Sequence, residues 1–425
     1  MKKMLTDIAV IGGGPAGLAA AIEAKRLGIE RVTLLERDIE LGGILRQCIH
    51  DGFGIHRFKK RMSGNQYAQV FIDDAEKNGI ETLVDTMVLE VTRDKKIYAC
   101  NSRDGMLEIT AKAVILATGC RERTASQVFI YGDRPAGVLT AGVVQRYINI
   151  EGYLPGKTAV ILGSGDIGLI MARRMTLEGV AVKGVYEVMP SPGGLTRNIV
   201  QCLDDYGIPL RLSTTVTKVH GRGRVEAVTV AKVDERRRPI AGTEETIECD
   251  LLVLAVGLIP ENELAVKAGI QIDSKTRGAV LDDDFETDIP GIFAAGNAAA
   301  VFDLVDYVSL SGELAARGAA KFLKRGEPHC SAEYIDVVAG DNVGFVIPQR
   351  IKTIENAEED NRKLQFFMRV NTVAKSAKIK CAVDGECLKE KKCKHVAPPE
   401  MLSFETELPR SAKKIIIEVE TGEKA

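Results

Sequence analysis

Apolar runs with the signature of buried strands recur along this chain in a fixed order. Ile8-Ala9-Val10-Ile11 closes on Gly12-x-Gly14-x-x-Gly17, and an alanine-rich stretch of helical character follows. A second run, Val32-Thr33-Leu34-Leu35, ends on Glu36. Short apolar runs bounded by glycine predict strands of a parallel sheet, and the segment between them predicts the crossover helix. The same order returns at Val160-Ile161-Leu162, Gly163-x-Gly165-x-x-Gly168 and Val182 to Glu187. All four anchors are displaced by 151 residues, and so is the pair Gly42-Gly43, whose counterpart is Gly193-Gly194. One strand–helix–strand unit therefore occurs twice.

Each part of the unit has a physical role. The first glycine permits a tight strand-to-helix turn, the second lets backbone approach a diphosphate, and the third allows close helix–strand packing. The diphosphate sits on free N–H groups at the positive end of the helix. A carboxylate closing the second strand accepts hydrogen bonds from adenosine ribose hydroxyls. A single Gly-x-Gly-x-x-Gly is weak evidence, since a glycine-rich turn needs no ligand. Two copies at one offset, each with strand, helix and terminal acid, point to two dinucleotide-binding domains.

Further runs extend the pattern. Ala113-Val114-Ile115-Leu116-Ala117-Thr118-Gly119 and Leu251-Leu252-Val253-Leu254-Ala255-Val256-Gly257 predict two further buried strands of parallel sheets. Helical spacing over Leu310 to Leu323 follows Gly291-Ile292-Phe293-Ala294-Ala295-Gly296-Asn297. Beyond it, Val343–Pro348, Gln365–Val370 and Ile415–Val419 predict strands, Asp384-Gly385 a hairpin turn and Pro398-Pro399 a break. The expected architecture is α/β: two Rossmann-like domains and a small, mainly β C-terminal segment. Gly291 to Asn297 resembles the second FAD motif of pyridine nucleotide-disulfide oxidoreductases, which implies that the second domain is inserted in the first. The expected boundaries are 1–120 with 265–326, 121–264, and 327–425.

Composition narrows the function classes. A net charge of −2 gives no electrostatic reason to expect nucleic acid or an anionic membrane. No apolar run reaches the roughly 20 residues that span a bilayer. Nine scattered cysteines argue for a reducing cytoplasm rather than a disulfide framework. Cys381, Cys387 and Cys393 fit no tetrahedral zinc or iron–sulfur spacing, and no metal is expected. Cys48, in Gly42-Gly43-Ile44-Leu45-Arg46-Gln47-Cys48-Ile49-His50, is the one candidate catalytic residue. It reads either as a small packing residue or as a redox thiol. His50 and His56 are candidate acid–base groups, with ordinary loop hydrogen bonds as the plainer reading.

Gly12 to Gly17 with Glu36-Arg37 resembles the FAD fingerprint of pyridine nucleotide-disulfide oxidoreductases, and Gly163 to Gly168 resembles their nicotinamide-binding copy. Within that superfamily, Arg46 to Gly54, Gly119-Cys120-Arg121-Glu122-Arg123 and Pro192 to Asn198 resemble the FAD- and NAD-linked subunits of bacterial two-part dehydrogenases. Relatives of that kind serve anaerobic glycerol-3-phosphate dehydrogenase, hydrogen cyanide synthase, and opine and hydroxyproline dehydrogenases.

The resemblance implies FAD at Gly12, Gly14, Pro15, Ala16, Gly17, Glu36, Arg37, Gly43, Leu45, Gln47, Val88, Thr118, Gly119, Gly296 and Asn297. Asn297 stands where the family usually has aspartate. NAD(H) is implied at Gly163, Gly165, Asp166, Ile167, Gly168, Glu187 and Gly257, with Glu187 opposing a 2′-phosphate. The two cysteines four residues apart that disulfide reductases carry beside the flavin are absent, and so is the Cys-x-x-Cys of thioredoxin reductases. The implied activity is electron transfer between NAD(H) and FAD in a multi-subunit dehydrogenase, with glycerol 3-phosphate as the expected substrate. Expected partners are a substrate-oxidising flavoprotein subunit and an iron–sulfur or other electron-carrier subunit. Two alternatives stay open: a stand-alone NADH oxidase or peroxidase using Cys48, and an electron-transfer scaffold with a structural adenine nucleotide in the second site.

Overall fold

In the computed structural model, residues 1–326, 333–353, 361–409 and 412–422 are described. The chain divides into two compact units: Met1–Leu45, Asp51–Cys120 and Pro260–Ala425 form the first, and Arg46–His50 with Arg121–Ile259 the second.

In the first unit the apolar runs pair in parallel. The strand Lys2–Ile11 lies between Val32–Leu35 and Gly105–Leu116, with Ile11 opposite both Leu35 and Leu116. Glu81–Leu83 extends one side of the sheet and Ile292–Ala294 pairs with the far end of Gly105–Leu116. An antiparallel meander, Thr86–Val91 and Lys96–Asn101, returns along Gly105–Leu116. Strand centres such as Ile8, Val10, Leu34, Val114 and Ile115 are fully buried, which is why these runs carry no polar alternation.

The helix Pro15–Arg26 opens with proline, whose missing N–H costs nothing at a helix start. It buries Ala16 through Ile22. The helix Val305–Arg325 packs closely on it, since a Cβ on Gly312 would lie 2.1 Å from the Ala16 carbonyl oxygen. That second helix begins five residues before the expected Leu310, with Asp306 in its first turn.

The second unit repeats the arrangement in a five-stranded parallel sheet ordered Val138–Thr140, Leu251–Leu254, Thr158–Leu162, Ala181–Tyr186, Leu210–Arg211. The helix Asp166–Leu177 packs on it through Leu169, Met171, Ala172 and Met175, all fully buried. An antiparallel ribbon of Thr214–His220, Ala227–Lys232 and Glu245–Glu248 completes the unit. The excursion Arg46–His50, expected with the first domain, lies by its contacts with the second unit. Gln47 Nε2 donates to the Gly142 carbonyl at 2.8 Å, and Asn149 Nδ2 donates to the Gln47 carbonyl at 2.8 Å.

The C-terminal segment is a β-sandwich with its own core, including Phe366, Met368, Ile379, Cys381, Phe404 and Ile417. One sheet runs Arg350–Lys352, Tyr334–Ala339, Ile415–Thr421, Ala377–Val383, Glu386–Cys393, and the other Val343–Ile347, Asn361–Val370, Leu402–Pro409. Asp384 and Gly385, at φ 52° and 92°, turn the hairpin between Ala377–Val383 and Glu386–Cys393. Glu386–Cys393 and Leu402–Pro409 are edge strands of the two sheets. Lys389 and Lys391, two residues apart and so on one side of their strand, donate to the Glu405 and Ser403 carbonyls at 2.8 and 2.7 Å. Phe367 joins the sandwich to the rest of the first unit through edge contacts with Phe285 and Phe302. Lys352, nearly buried, pairs with Asp282, Asp284 and Glu286. Burial pushes the Asp282 carboxyl up to about 6 against the pull of that ammonium.

Candidate functional site

The first glycine turn is forced by the chain itself. Gly12 has φ 110° and donates to the Leu35 carbonyl at 2.8 Å. A Cβ there would sit 2.2 Å from the Ala117 carbonyl oxygen, and one on Gly17 would sit 1.8 Å from that of Gly12. Gly14 differs. Its φ of −78° suits any residue, and the nearest atom to an added Cβ is 4.0 Å away. Nothing in the fold demands glycine at Gly14, which faces space at the start of a helix with no acidic residue in its first turn. A ligand that comes close to backbone accounts for it, and a diphosphate at a helix N-terminus is such a ligand.

Glu36 is held beside that turn, almost buried. Its Oε2 accepts from Gly13 N–H at 2.7 Å and its Oε1 from Asp38 N–H at 2.8 Å. Arg37 next to it is exposed. Gly42 N–H donates to the Gly13 carbonyl at 2.8 Å, and a Cβ on Gly43 would meet Gly14 Cα at 3.0 Å. The Gly42-Gly43 loop thus lies over the glycine turn, with Leu45 buried after it.

At the crossing, Thr118 Oγ1 donates to the Glu261 carbonyl at 2.6 Å and Glu261 N–H to the Gly119 carbonyl at 2.9 Å. Gly296 N–H donates to Ser311 Oγ at 2.8 Å. Asn297 accepts from Phe302 N–H at 2.9 Å and points its amide at Cys120 Sγ, 3.4 Å away. Val88 is a buried core residue of the meander. Gln47 lies with the second unit.

The second turn repeats the first. Gly163, at φ 102°, donates to the Tyr186 carbonyl at 2.7 Å, and a Cβ there would lie 2.2 Å from the Ala255 carbonyl oxygen. A Cβ on Gly168 would lie 2.4 Å from the Gly163 carbonyl oxygen, while one on Gly165 would meet nothing within 4 Å. Ile167 is half-buried against the core.

Glu187 is again almost buried, but its partners differ. Its Oε2 accepts from both Ser164 N–H at 2.8 Å and Ser164 Oγ at 2.7 Å, and its Oε1 accepts from Met189 N–H at 2.9 Å. Gly193 N–H donates to Ser164 Oγ at 2.9 Å. Asp166 Oδ1 accepts from Leu195 N–H at 2.9 Å and Asn198 Nδ2 at 2.7 Å. Gly257, at φ 103°, accepts from Arg123 N–H at 3.0 Å. Sequence reasoning missed Ser164, although a serine where the first copy has Gly13 was there to be read. It missed Arg211 too, whose backbone carbonyl accepts from Glu187 N–H at 2.9 Å. Arg211 pairs in register with Tyr186; burial pushes that phenol up, against the opposing pull of the Arg211 charge.

Cys48 is buried, with Sγ 3.9 Å from Gln145 Oε1. Burial pushes its thiol up to about 12, so at neutral pH it is protonated and a poor nucleophile. The His56 ring stacks on Tyr307 at 6.2 Å, and its backbone N–H donates to Asp306 Oδ2 at 3.1 Å. Among the described residues no group of His, Cys, Asp or Glu is arranged to hold a metal, and no helix is long and apolar enough to cross a membrane.

A family profile described as pyridine nucleotide-disulphide oxidoreductase matches residues 6–321. An opine oxidase component from Agrobacterium tumefaciens is 26% identical over 75% of this chain and 66% of its own length. A hydrogen cyanide synthase component from Pseudomonas protegens is 27% identical over 62% of this chain and 58% of its own. The chain thus spans less than two thirds of either relative. Among solved structures, a thioredoxin reductase of T. acidophilum superposes with a TM-score of 0.61 at 24% identity, over 75% of this chain and 98% of its own.

Proposed function

Because the chain belongs to the pyridine nucleotide-disulphide oxidoreductase family of FAD- and NAD(P)-binding oxidoreductases, we propose that its first unit holds FAD and its second NAD(H). Electrons pass between the two within a larger dehydrogenase. The observation that carries this reading is the pair of glycines, Gly14 and Gly165, for which the fold itself has no use, each beside a buried, pre-oriented glutamate. When bound, the two cofactors supply hydride and electron transfer, which needs alignment and exclusion of water rather than a protein acid–base pair.

The chain's own residues do the holding. The glycine turns present N–H groups to a diphosphate, and Glu36 and Glu187 accept from ribose hydroxyls. With NAD(H) held at this turn, the Glu187 carboxylate would oppose a 2′-phosphate, which would favour NADH over NADPH. The buried, protonated thiol of Cys48 supports its reading as a packing residue over that of a peroxidase thiol.

The opine oxidase and hydrogen cyanide synthase relatives are each named as one subunit of an enzyme, which supports a partner that oxidises the substrate. Glycerol 3-phosphate is the proposed substrate of that partner. The test is anaerobic addition of NADH to the purified yellow protein. Bleaching of the flavin, with reoxidation by co-purified subunits and glycerol-3-phosphate turnover only in their presence, is the expected result. Flavin that NADH leaves oxidised would favour the scaffold reading, and substrate turnover by the isolated chain would reveal a further active site within it.

A further inference from the structure

The two buried glutamates beside the glycine turns, Glu36 and Glu187, differ in how much of their hydrogen-bonding capacity the protein already uses. A carboxylate offers about four acceptor positions, two on each oxygen. Glu36 spends one on Gly13 N–H and one on Asp38 N–H, leaving a position free on each oxygen. Glu187 spends three: Ser164 N–H and Ser164 Oγ both fall on Oε2, and Met189 N–H falls on Oε1. One position remains, on Oε1. The extra donor is the hydroxyl of Ser164, fixed in direction because it accepts from Gly193 N–H at 2.9 Å on its other side. The first unit has Gly13 at this place, and its loop hangs instead on the Gly13 backbone carbonyl.

We propose that Ser164 is a positioning residue that limits the second unit's affinity for its nucleotide, by filling the acceptor position on Glu187 that would otherwise take the second ribose hydroxyl. This rests on the reading that NAD(H) binds there. Glu36 accepts both hydroxyls of an adenosine ribose, and Glu187 accepts one. The first site therefore retains its dinucleotide, while the second releases one that must exchange on every turnover. The Gly193–Asn198 loop does not depend on the serine alone, since Asp166 also holds Leu195 N–H and Asn198 Nδ2.

The experiment is equilibrium titration of the full-length flavoprotein with NAD⁺ and with analogues lacking the 2′ or the 3′ hydroxyl of the adenosine ribose. In the unmodified protein one analogue should bind like NAD⁺, within about two-fold, and the other about ten-fold more weakly, the scale of one hydrogen bond to a charged group. Ser164→Gly, which copies the first unit, should bind NAD⁺ about ten-fold more tightly and make both hydroxyls count. Ser164→Ala, which keeps ordinary backbone preferences, should do the same, with thermal melting confirming that both variants are folded. A merely structural serine would weaken NAD⁺ without changing the analogue pattern, and that result overturns the proposal. So does an unmodified protein in which both hydroxyls, or neither, matter. An unmodified protein that binds no NAD⁺ at all would instead sink the cofactor assignment.

Discussion

The two nucleotide units are close copies in backbone and unlike in their side-chain fastenings. In both, the first and third glycines are compelled by carbonyl oxygens around 2 Å from where a Cβ would stand, and the second is left facing space. In both, a buried glutamate is gripped by the backbone of the turn. The loop after the second strand is pinned differently. The first unit uses the Gly13 carbonyl, whereas the second uses Ser164 Oγ and Asp166 Oδ1. The steric frame of the two glycine turns is thus fixed by the fold, and what differs between them lies in side chains that a substitution can reach.

The strongest way to break this equivalence is to add a methyl group where the fold forbids it. Gly12→Ala and Gly163→Ala each place a Cβ 2.2 Å from a carbonyl oxygen at φ above 100°. Each should lose on the order of 3 kcal/mol or more, or fail to fold, in thermal denaturation. A clear loss in one and none in the other would mean that the two turns are not the same device.

The next contrast separates the ligands. Gly14→Val should fold yet lose most of its flavin, whereas Gly165→Val should stay yellow and no longer be bleached by NADH. Flavin content and anaerobic spectra decide it, and normal FAD in Gly14→Val would remove the basis for the first assignment.

A third measurement sharpens the role of Glu187. Stopped-flow reduction should favour NADH over NADPH by roughly 100-fold, the scale of a few kcal/mol of like-charge opposition. Glu187→Gln should narrow that gap. Equal rates in the unmodified protein would contradict the reading. Cys48→Ser should leave NADH-to-dye activity within a few-fold, since a protonated, buried thiol has little to lose but packing.

The smallest effect lies at the base of the sheets. Arg31 and Lys112 hold the Asp7 carboxyl well below its ordinary value of 3.8. Being depressed in the fold, it contributes stability above that value and loses it as the pH falls. In the second unit the corresponding place is Thr158, whose N–H is held by Asp250 at 2.8 Å with no carboxylate at the strand itself. Asp7→Asn should cost at most about 1 kcal/mol at neutral pH, the partners being half exposed. Denaturant titrations should show that cost shrinking toward pH 3, and a cost independent of pH would show that the ion pair is not its source.

The 151-residue repeat made the paired strands, helices and glutamates legible, because buried parallel strands and glycine turns write themselves in local sequence. The meander is legible in principle, through alternation at Ile97, Ala99, Leu107, Ile109 and Ala111, a weaker signal than the glycine motifs. The placing of Arg46–His50 with the second unit could not be read, since it depends on Gly142, Gln145 and Asn149 about a hundred residues away. The lysine-rich strand Glu386–Cys393 escaped for another reason. It has no buried face, so neither strand nor loop periodicity appears in it.

That same lysine-rich strand has a bearing on how other chains can meet the sandwich. An exposed strand margin is ordinarily a template on which a foreign strand can crystallise, extending the ladder indefinitely. Here the ammonium groups of Lys389 and Lys391 already sit on the Glu405 and Ser403 carbonyls of the neighbouring sheet's outermost strand. An incoming backbone would have to evict two cations before making its first rung. The hairpin therefore works as a selvedge, a woven margin that keeps this side of the cloth from being sewn to the next piece.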